Sequence, residues 1–107
     1  MSREPRDRHN REVVRYGMRA TVVKVSAKAN YAKIFVGERD NVQVGDAFYI
    51  FNSDLERAEN RRLIAYATVA RLQKGEAAYL HVEELYSEQS PVQEGFEARQ
   101  VFFEGDE

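Results

Sequence analysis

Apolar and polar residues alternate along most of the chain with a period of two, which is the pattern of β-strands that bury one face. Ala32, Ile34 and Val36, for example, share one face, and the residues between them share the other. Short stretches rich in Gly, Asn, Asp, Ser and Pro separate these runs and favour turns. The sequence therefore predicts an all-β domain of six strands. They span residues 18–25, 31–36, 47–51, 63–72, 77–85 and 98–103.

The longest polar connection, residues 52–61, separates the third and fourth predicted strands. Ser53 and Glu56 have the spacing of a helix capping box, so one interpretation is a single helical turn over residues 55–59. The other interpretation is a wide hairpin loop.

The two ends of the chain are predicted to lie outside the folded domain. Residues 1–16 are basic and contain few apolar groups, which predicts a flexible arm or linker, with a short helix near residues 10–15 as the alternative. The acidic residues 105–107 are predicted to fray. The folded domain is therefore expected to span residues 17–104.

The two halves of the chain repeat one order of elements: strand, tight turn, strand, Val-Gln-x-Gly corner, strand. The corner stands at the same place in each half, which favours duplication over a chance likeness between two β-rich stretches. Three strands cannot close a core alone, but two copies can close into a barrel without exposed sheet edges. The matching segments are residues 21–25 with 68–72, 32–36 with 78–82, 42–45 with 92–95, and 47–51 with 98–103.

The repeat predicts a small six-stranded β-barrel made of two pseudo-symmetric three-stranded halves, about residues 18–52 and 62–103. A barrel this narrow is filled by its own side chains. The predicted core residues are Ile34, Val36, Phe48, Ile50, Val69, Leu80, Val82 and Val101.

The first corner, residues 41–46, is the turn around which each half is organised. Gly45 can adopt a positive φ without a Cβ clash. Asp46 is expected to hold the turn by bonding its own backbone two residues further on. Gly45, Asp46 and Gly95 are therefore the predicted structural corner residues.

The corners also give the chain a resemblance to known domains. A Gly-Asp corner that joins strands in a six-stranded chain resembles the GD-box of cradle-loop barrels, although Phe96 replaces the aspartate in the second half. Residues 32–37 and 41–51, followed by 67–70, look like the C-terminal barrel of flagellar assembly protein T and related bacterial domains. This resemblance covers about residues 18–103. It implies a non-catalytic accessory domain of an envelope assembly and carries over no catalytic residue.

Charge is distributed unevenly along the 107 residues, whose net charge is −2. Residues 1–19 carry a net charge of +3, so the remainder carries −5 and lacks the positive field expected of a nucleic-acid platform. No apolar run is long enough to span a membrane, and no secretion signal is visible. Membrane insertion is therefore not expected. Localisation stays open: periplasmic for a fragment of a flagellar-assembly-like protein, cytoplasmic otherwise.

Side chains that carry catalysis are sparse. The chain has no cysteine, and its two histidines are His9 in the arm and His81 in a strand. His81 shares a strand face with Glu83, but one histidine and one carboxylate are too few ligands for a closed metal site. Neither a GxGxxG motif nor a P-loop occurs. The sequence therefore predicts a protein that is not an enzyme and has no metal or cofactor.

Two features suggest binding instead. Tyrosines interleaved with Lys33, Arg71 and Arg99 are typical of a stacking platform for a single strand of nucleic acid, or of outward cross-strand pairs that cover the barrel. Arginines on the long connection suggest a partner contact or a solvated loop. The candidate partner-binding residues are Tyr31, Tyr49, Arg57, Arg61 and Arg62.

The predicted function is that of a non-enzymatic structural or protein-interaction module, an accessory part of a larger bacterial assembly of flagellar or envelope type. The alternative is a small barrel that binds single-stranded nucleic acid through outward tyrosines and the Arg-rich arm. A protein partner is expected in the first case, and the oligomeric state is left open.

Overall fold

The computed structural model describes residues 13–52, 62–86 and 91–104. These residues form strands and turns and contain no helix, which confirms the predicted all-β class. The strands are β1 (Val13–Val25), β2 (Tyr31–Phe35), β3 (Ala47–Asn52), β4 (Arg62–Gln73), β5 (Ala77–Leu85) and β6 (Glu97–Phe103).

All neighbouring strands are antiparallel, and they close into a barrel in the order β1-β2-β5-β4-β3-β6, with β6 paired back to β1. Exchanging β1 with β4, β2 with β5 and β3 with β6 leaves every neighbour relation unchanged. Only the β1–β2 and β4–β5 pairs lie within one half, and the other four pairs join the halves. The predicted six-stranded barrel with two pseudo-symmetric halves is therefore confirmed.

Backbone hydrogen bonds at the two corners repeat the same symmetry. Gly45 N donates to Val69 O, and Gly95 N donates to Val22 O, both at 2.8 Å. In each case the valine N–H donates back to the carbonyl of the residue after the glycine, at 2.9 Å in the first half and 2.8 Å in the second. Each corner is thus hydrogen-bonded to the first strand of the other half.

The barrel interior holds a cluster of buried aliphatic residues and one large aromatic ring, Phe48. Val82, predicted to be buried, is only partly so, and Val101 is buried in a different cluster. The other predicted core residues, Ile34, Val36, Phe48, Ile50, Val69 and Leu80, all lie in the interior cluster.

A second apolar cluster lies on the outer face of β3 and β4. Successive side chains of β3 point to opposite sides of the sheet, so the ring of Tyr49 points away from the interior. Its exposed fraction is nevertheless 0%. The ring centroid of Phe103, at the end of β6, lies 5.9 Å from that of Tyr49 and 6.1 Å from that of Tyr66. This outer cluster contains Val13, Tyr49, Phe51, Tyr66, Val101 and Phe103.

The first strand begins earlier than the sequence predicts. β1 starts at Val13 rather than at residue 18, because its first residues pair with the end of β6, Val13 with Phe103 and Tyr16 with Val101. The prediction that residues up to 16 form a flexible arm is therefore wrong from Val13 onward. Burial of Val13 in the outer cluster explains why this end of the strand is part of the barrel.

Three predicted features fall on residues outside those described: the arm before residue 13, the helical turn at 55–59 and the frayed end at 105–107. No helix among the described residues is long and apolar enough to cross a membrane.

Candidate binding surface

The predicted corner glycines have unusual backbone conformations. Gly45 and Gly95 both have a φ of +93°, and a Cβ atom added at either would meet nothing within 4 Å. The backbone conformation, and not a shortage of space, is therefore what favours glycine at both positions.

Asp46 holds its corner differently from the prediction. Its carboxylate oxygen Oδ2 accepts hydrogen bonds from Gln43 N at 2.9 Å, three residues earlier, and from Gln100 Nε2 at 3.0 Å. The expected bond to the backbone two residues further on is replaced by this bond across the barrel. Gln100, which is buried, also accepts from Met18 N at 3.3 Å, so the amide links the corner to β1. These contacts give the corner a structural role.

Tyr31, Tyr49 and Arg62, the described members of the predicted partner-binding set, do not form one site. Tyr31 is 41% exposed on β2, and Arg62 is exposed at the start of β4. The prediction that Tyr49 presents its ring outward to a partner is wrong, because the outer cluster buries that ring completely. Arg57 and Arg61 lie outside the described residues.

A row of polar side chains crosses the outer face of four neighbouring strands. The register places Lys24 of β1 opposite Lys33 of β2, Lys33 opposite Tyr79 of β5, and Tyr79 opposite Arg71 of β4. The inward neighbours Ala32, Ile34, Ala78 and Leu80 are buried, so this row lies on the solvent side of the barrel.

Alternation alone does not predict Lys24 and Arg71 on this face. Val22 and Val69 are buried, and a residue two positions further along a regular strand points the same way. Irregular register between Val22 and Lys24, and between Val69 and Arg71, reverses this direction in both halves. The two irregularities occupy equivalent places in the repeat and bring both cations to the surface.

Two cations of the row, Lys33 and Arg71, lie near aromatic rings. Lys33 Nζ lies 5.8 Å from the ring centroid of Tyr79 and 5.7 Å from that of Phe35, and Arg71 Cζ lies 5.5 Å from that of Tyr79. These distances are within the range of cation–π attraction. The ring of Tyr31 contacts His81 at 5.0 Å between centroids. Together Lys24, Lys33, Arg71, Tyr79, Tyr31 and Phe35 form what we call the basic–aromatic face.

A shallow groove of about 210 Å³ lies within this face. It is smaller than the pockets that enclose drug-sized molecules, so its size suits one planar ring rather than a whole metabolite. Its lining consists of Lys24, Val25, Ser26, Tyr31, Ala32, Lys33 and Tyr79.

The electrostatic surroundings of the face are positive on one side. Residues 13–37, which contain β1 and β2, hold five basic residues and no acidic residue. On the other side Glu83 borders the face, and its Oε1 lies 3.1 Å from His81 Nδ1 and accepts from Thr68 Oγ1 at 2.9 Å. The His81–Glu83 pair expected from the sequence is thus present. Among the described residues no group of three or more His, Cys, Asp or Glu is arranged to hold a metal ion.

A larger cavity of about 350 Å³ opens at one end of the barrel, between the β2–β3 connection and the β4–β5 turn. Glu38 and Lys74 are the charged side chains in its described lining, which contains no Ser, Thr, Cys or His. The described lining of this cavity therefore offers no hydroxyl or thiol nucleophile beside a histidine base.

Arg99, which the sequence groups with Lys33 and Arg71, lies elsewhere. Its guanidinium carbon is 4.9 Å from the ring centroid of Tyr16, which packs against the outer cluster, and its Nε is buried. Arg99 pairs across the strands with Tyr49 and Arg19, so it is not part of the basic–aromatic face.

No protein-family model, curated protein or solved structure matches the chain. The resemblance to the C-terminal barrel of flagellar assembly protein T therefore stays a prediction from the residues alone.

Proposed function

We propose that this chain is a non-catalytic binding module and that the basic–aromatic face is its binding surface. The observation that carries the proposal is the cross-strand row of three cations and a tyrosine, flanked by two exposed rings. Following the resemblance, we place the module in a larger bacterial assembly of flagellar or envelope type, as an accessory part.

Exposure of the flanking rings supports a binding role. Phe35 is 61% exposed although the residues on either side of it in the chain, Ile34 and Val36, are buried in the core. A phenyl ring on the solvent side contributes little to the core, whereas aromatic and arginine side chains are enriched at interfaces. Clustering of exposed rings with cations, rather than exposure of one ring, is what favours this interpretation.

The competing explanation is that these side chains only cover the barrel through cross-strand pairs. That explanation predicts that replacing them changes stability and leaves binding unaffected. A binding role predicts the opposite for Lys24 and Arg71, which are exposed, because surface charges contribute little to stability.

The test compares two charge-matched triple variants in the native source, with cross-linking followed by recovery of both protein and nucleic acid. The first variant carries Lys24→Glu, Lys33→Glu and Arg71→Glu. The control carries Arg19→Glu, Arg39→Glu and Lys74→Glu, three exposed residues outside the face. We expect the first variant to lose cross-linked partners that the wild-type chain and the control retain, with similar thermal unfolding of all three. Equal recovery from all three proteins would contradict the proposal.

A further inference from the structure

The cations of the basic–aromatic face are spread out rather than convergent. Lys24 and Arg71 are separated by three strand spacings, which amounts to about 14 Å across the barrel surface. A single phosphate or carboxylate cannot contact both ends of such a row. The arrangement suits a polyanion that extends across the strands.

The exposed rings add a second requirement for the ligand, besides negative charge. Tyr31 and Phe35 lie four residues apart on one face of β2, about 13 Å along the strand, with Lys33 between them. Both rings have accessible surface, and the groove beside Tyr31 has room for one planar group. Flat ligand groups must therefore be available along the same polyanion.

Single-stranded nucleic acid combines these two properties. Its phosphates follow a positively charged surface while its unstacked bases lie against aromatic rings. The bases of a duplex are stacked on one another and expose only their edges, so they cannot lie flat against Tyr31 or Phe35. The carboxylates of an acidic protein segment would also pair with the lysines, but nucleic acid carries a flat base beside every successive phosphate.

The net charge of the chain does not oppose this arrangement, because the relevant field is local. Residues 13–37 lack acidic side chains although the whole chain has a charge of −2. At physiological salt the screening length is about 8 Å, so acidic groups far from the face contribute little at the row. Glu83 borders the face, but it lies four residues from Tyr79 along β5, which is about 13 Å and exceeds this length.

From these observations we infer that the ligand of the basic–aromatic face is single-stranded nucleic acid. The inference rests on the proposed function, and it names the ligand class of the same surface. Lys24, Lys33 and Arg71 contact phosphates, and Tyr31 and Phe35 stack on bases.

The test is fluorescence anisotropy of the full chain with a labelled 20-nucleotide oligothymidylate, a duplex of the same length and a poly-glutamate peptide. Three phosphate contacts predict a salt slope near −2, which corresponds to roughly 20-fold weaker binding of the single strand at 200 mM than at 50 mM salt. Tyr31→Ala and Phe35→Ala should each weaken binding by about 5- to 150-fold without changing that slope.

The charge-reversal triple variant at Lys24, Lys33 and Arg71 should abolish binding, and the control triple variant at Arg19, Arg39 and Lys74 should retain it. Equal binding by both triple variants, or preferential binding of the duplex or the peptide, overturns the inference. Failure of the oligonucleotide to bind while face-dependent cross-linking persists overturns the inference and leaves the binding-module proposal standing. If the oligonucleotide does not bind and cross-linking does not depend on the face, the inference and the proposed function are both overturned.

Discussion

Gly45 and Gly95 share a φ of +93° although the residues that follow them differ. Asp46 follows the first glycine and bonds to Gln100 across the barrel, whereas Phe96 follows the second and packs against the interior cluster. Both corners make equivalent backbone bonds to the opposite half. The backbone conformation is thus common to both copies, and the side chain beside it is not.

Replacement of either corner glycine tests the backbone requirement. Gly45→Ala and Gly95→Ala should each destabilise the protein by about 1–3 kcal/mol, because a residue with a Cβ is strained at this φ even where space is free. Urea unfolding measures the difference. Val44→Ala, at a neighbouring residue that is 63% exposed, should change stability by less than about 0.5 kcal/mol. Glycine variants as stable as the Val44 control would contradict the requirement.

The bond between Asp46 and Gln100 predicts energetic coupling. Asp46→Ala removes the acceptor of a buried amide, which should cost about 1–3 kcal/mol. In a double-mutant cycle with Gln100→Met, the two effects should be non-additive by at least about 0.5 kcal/mol. Asp40 provides the matched control, because its carboxylate accepts from Gly37 N in an exposed turn and has no contact with Gln100. Additive effects for Asp46 as well as Asp40 would show that the cross-barrel bond contributes little.

At the scale of the strands, the alternation of apolar and polar residues correctly predicts which side chains of β3 point inward. It does not predict that the outward side chains are buried as well. Phe48 and Ile50 lie in the interior as predicted, but Tyr49 and Phe51 are buried too. The outward rings are covered because β1 begins at Val13 and pairs with the end of β6. The residues that pair here are about 90 positions apart in the chain, and such pairing does not change the local periodicity of apolar residues. It therefore cannot be predicted from the sequence pattern.

The same limit applies to the basic–aromatic face. The sequence singles out Tyr31, Lys33 and Arg71, since exposed aromatic and basic residues are visible in any strand pattern. Their alignment with Lys24 depends on strand register and on the two irregularities that follow Val22 and Val69. One extra residue in a strand reverses the side to which each later side chain points. The alignment of these side chains therefore cannot be predicted from the sequence pattern.

Phe103 is the residue by which to test the outer cluster. It is 1% exposed and contacts the rings of Tyr49 and Tyr66, so Phe103→Ala should cost about 3–5 kcal/mol in urea unfolding. Phe102→Ala is the comparison, because Phe102 lies on the other face of β6, partly exposed, with Arg15 Cζ 3.8 Å from its ring centroid. A larger loss at Phe102 than at Phe103 would contradict the role of the cluster.

At the scale of the whole molecule, stability depends on contacts between the halves. Four of the six strand pairs join one half to the other, and each corner bonds to the opposite half. Residues 13–52 contain only the β1–β2 pair, so β3 has no neighbour in its own half. A two-stranded hairpin and an unpaired strand are not expected to be stable in water.

This topology predicts that an isolated half folds only when it associates with another half. Residues 1–52 and 53–107, prepared separately, should be unfolded when dilute, and their equimolar mixture should recover strand structure. Because exchanging the halves preserves every neighbour relation, a concentrated single half could also pair with a second copy of itself. The unfolding midpoint should therefore rise with concentration for the fragments and stay constant for the intact chain, as followed by circular dichroism. A fragment that unfolds cooperatively at a midpoint independent of concentration would show that one half can form a core alone.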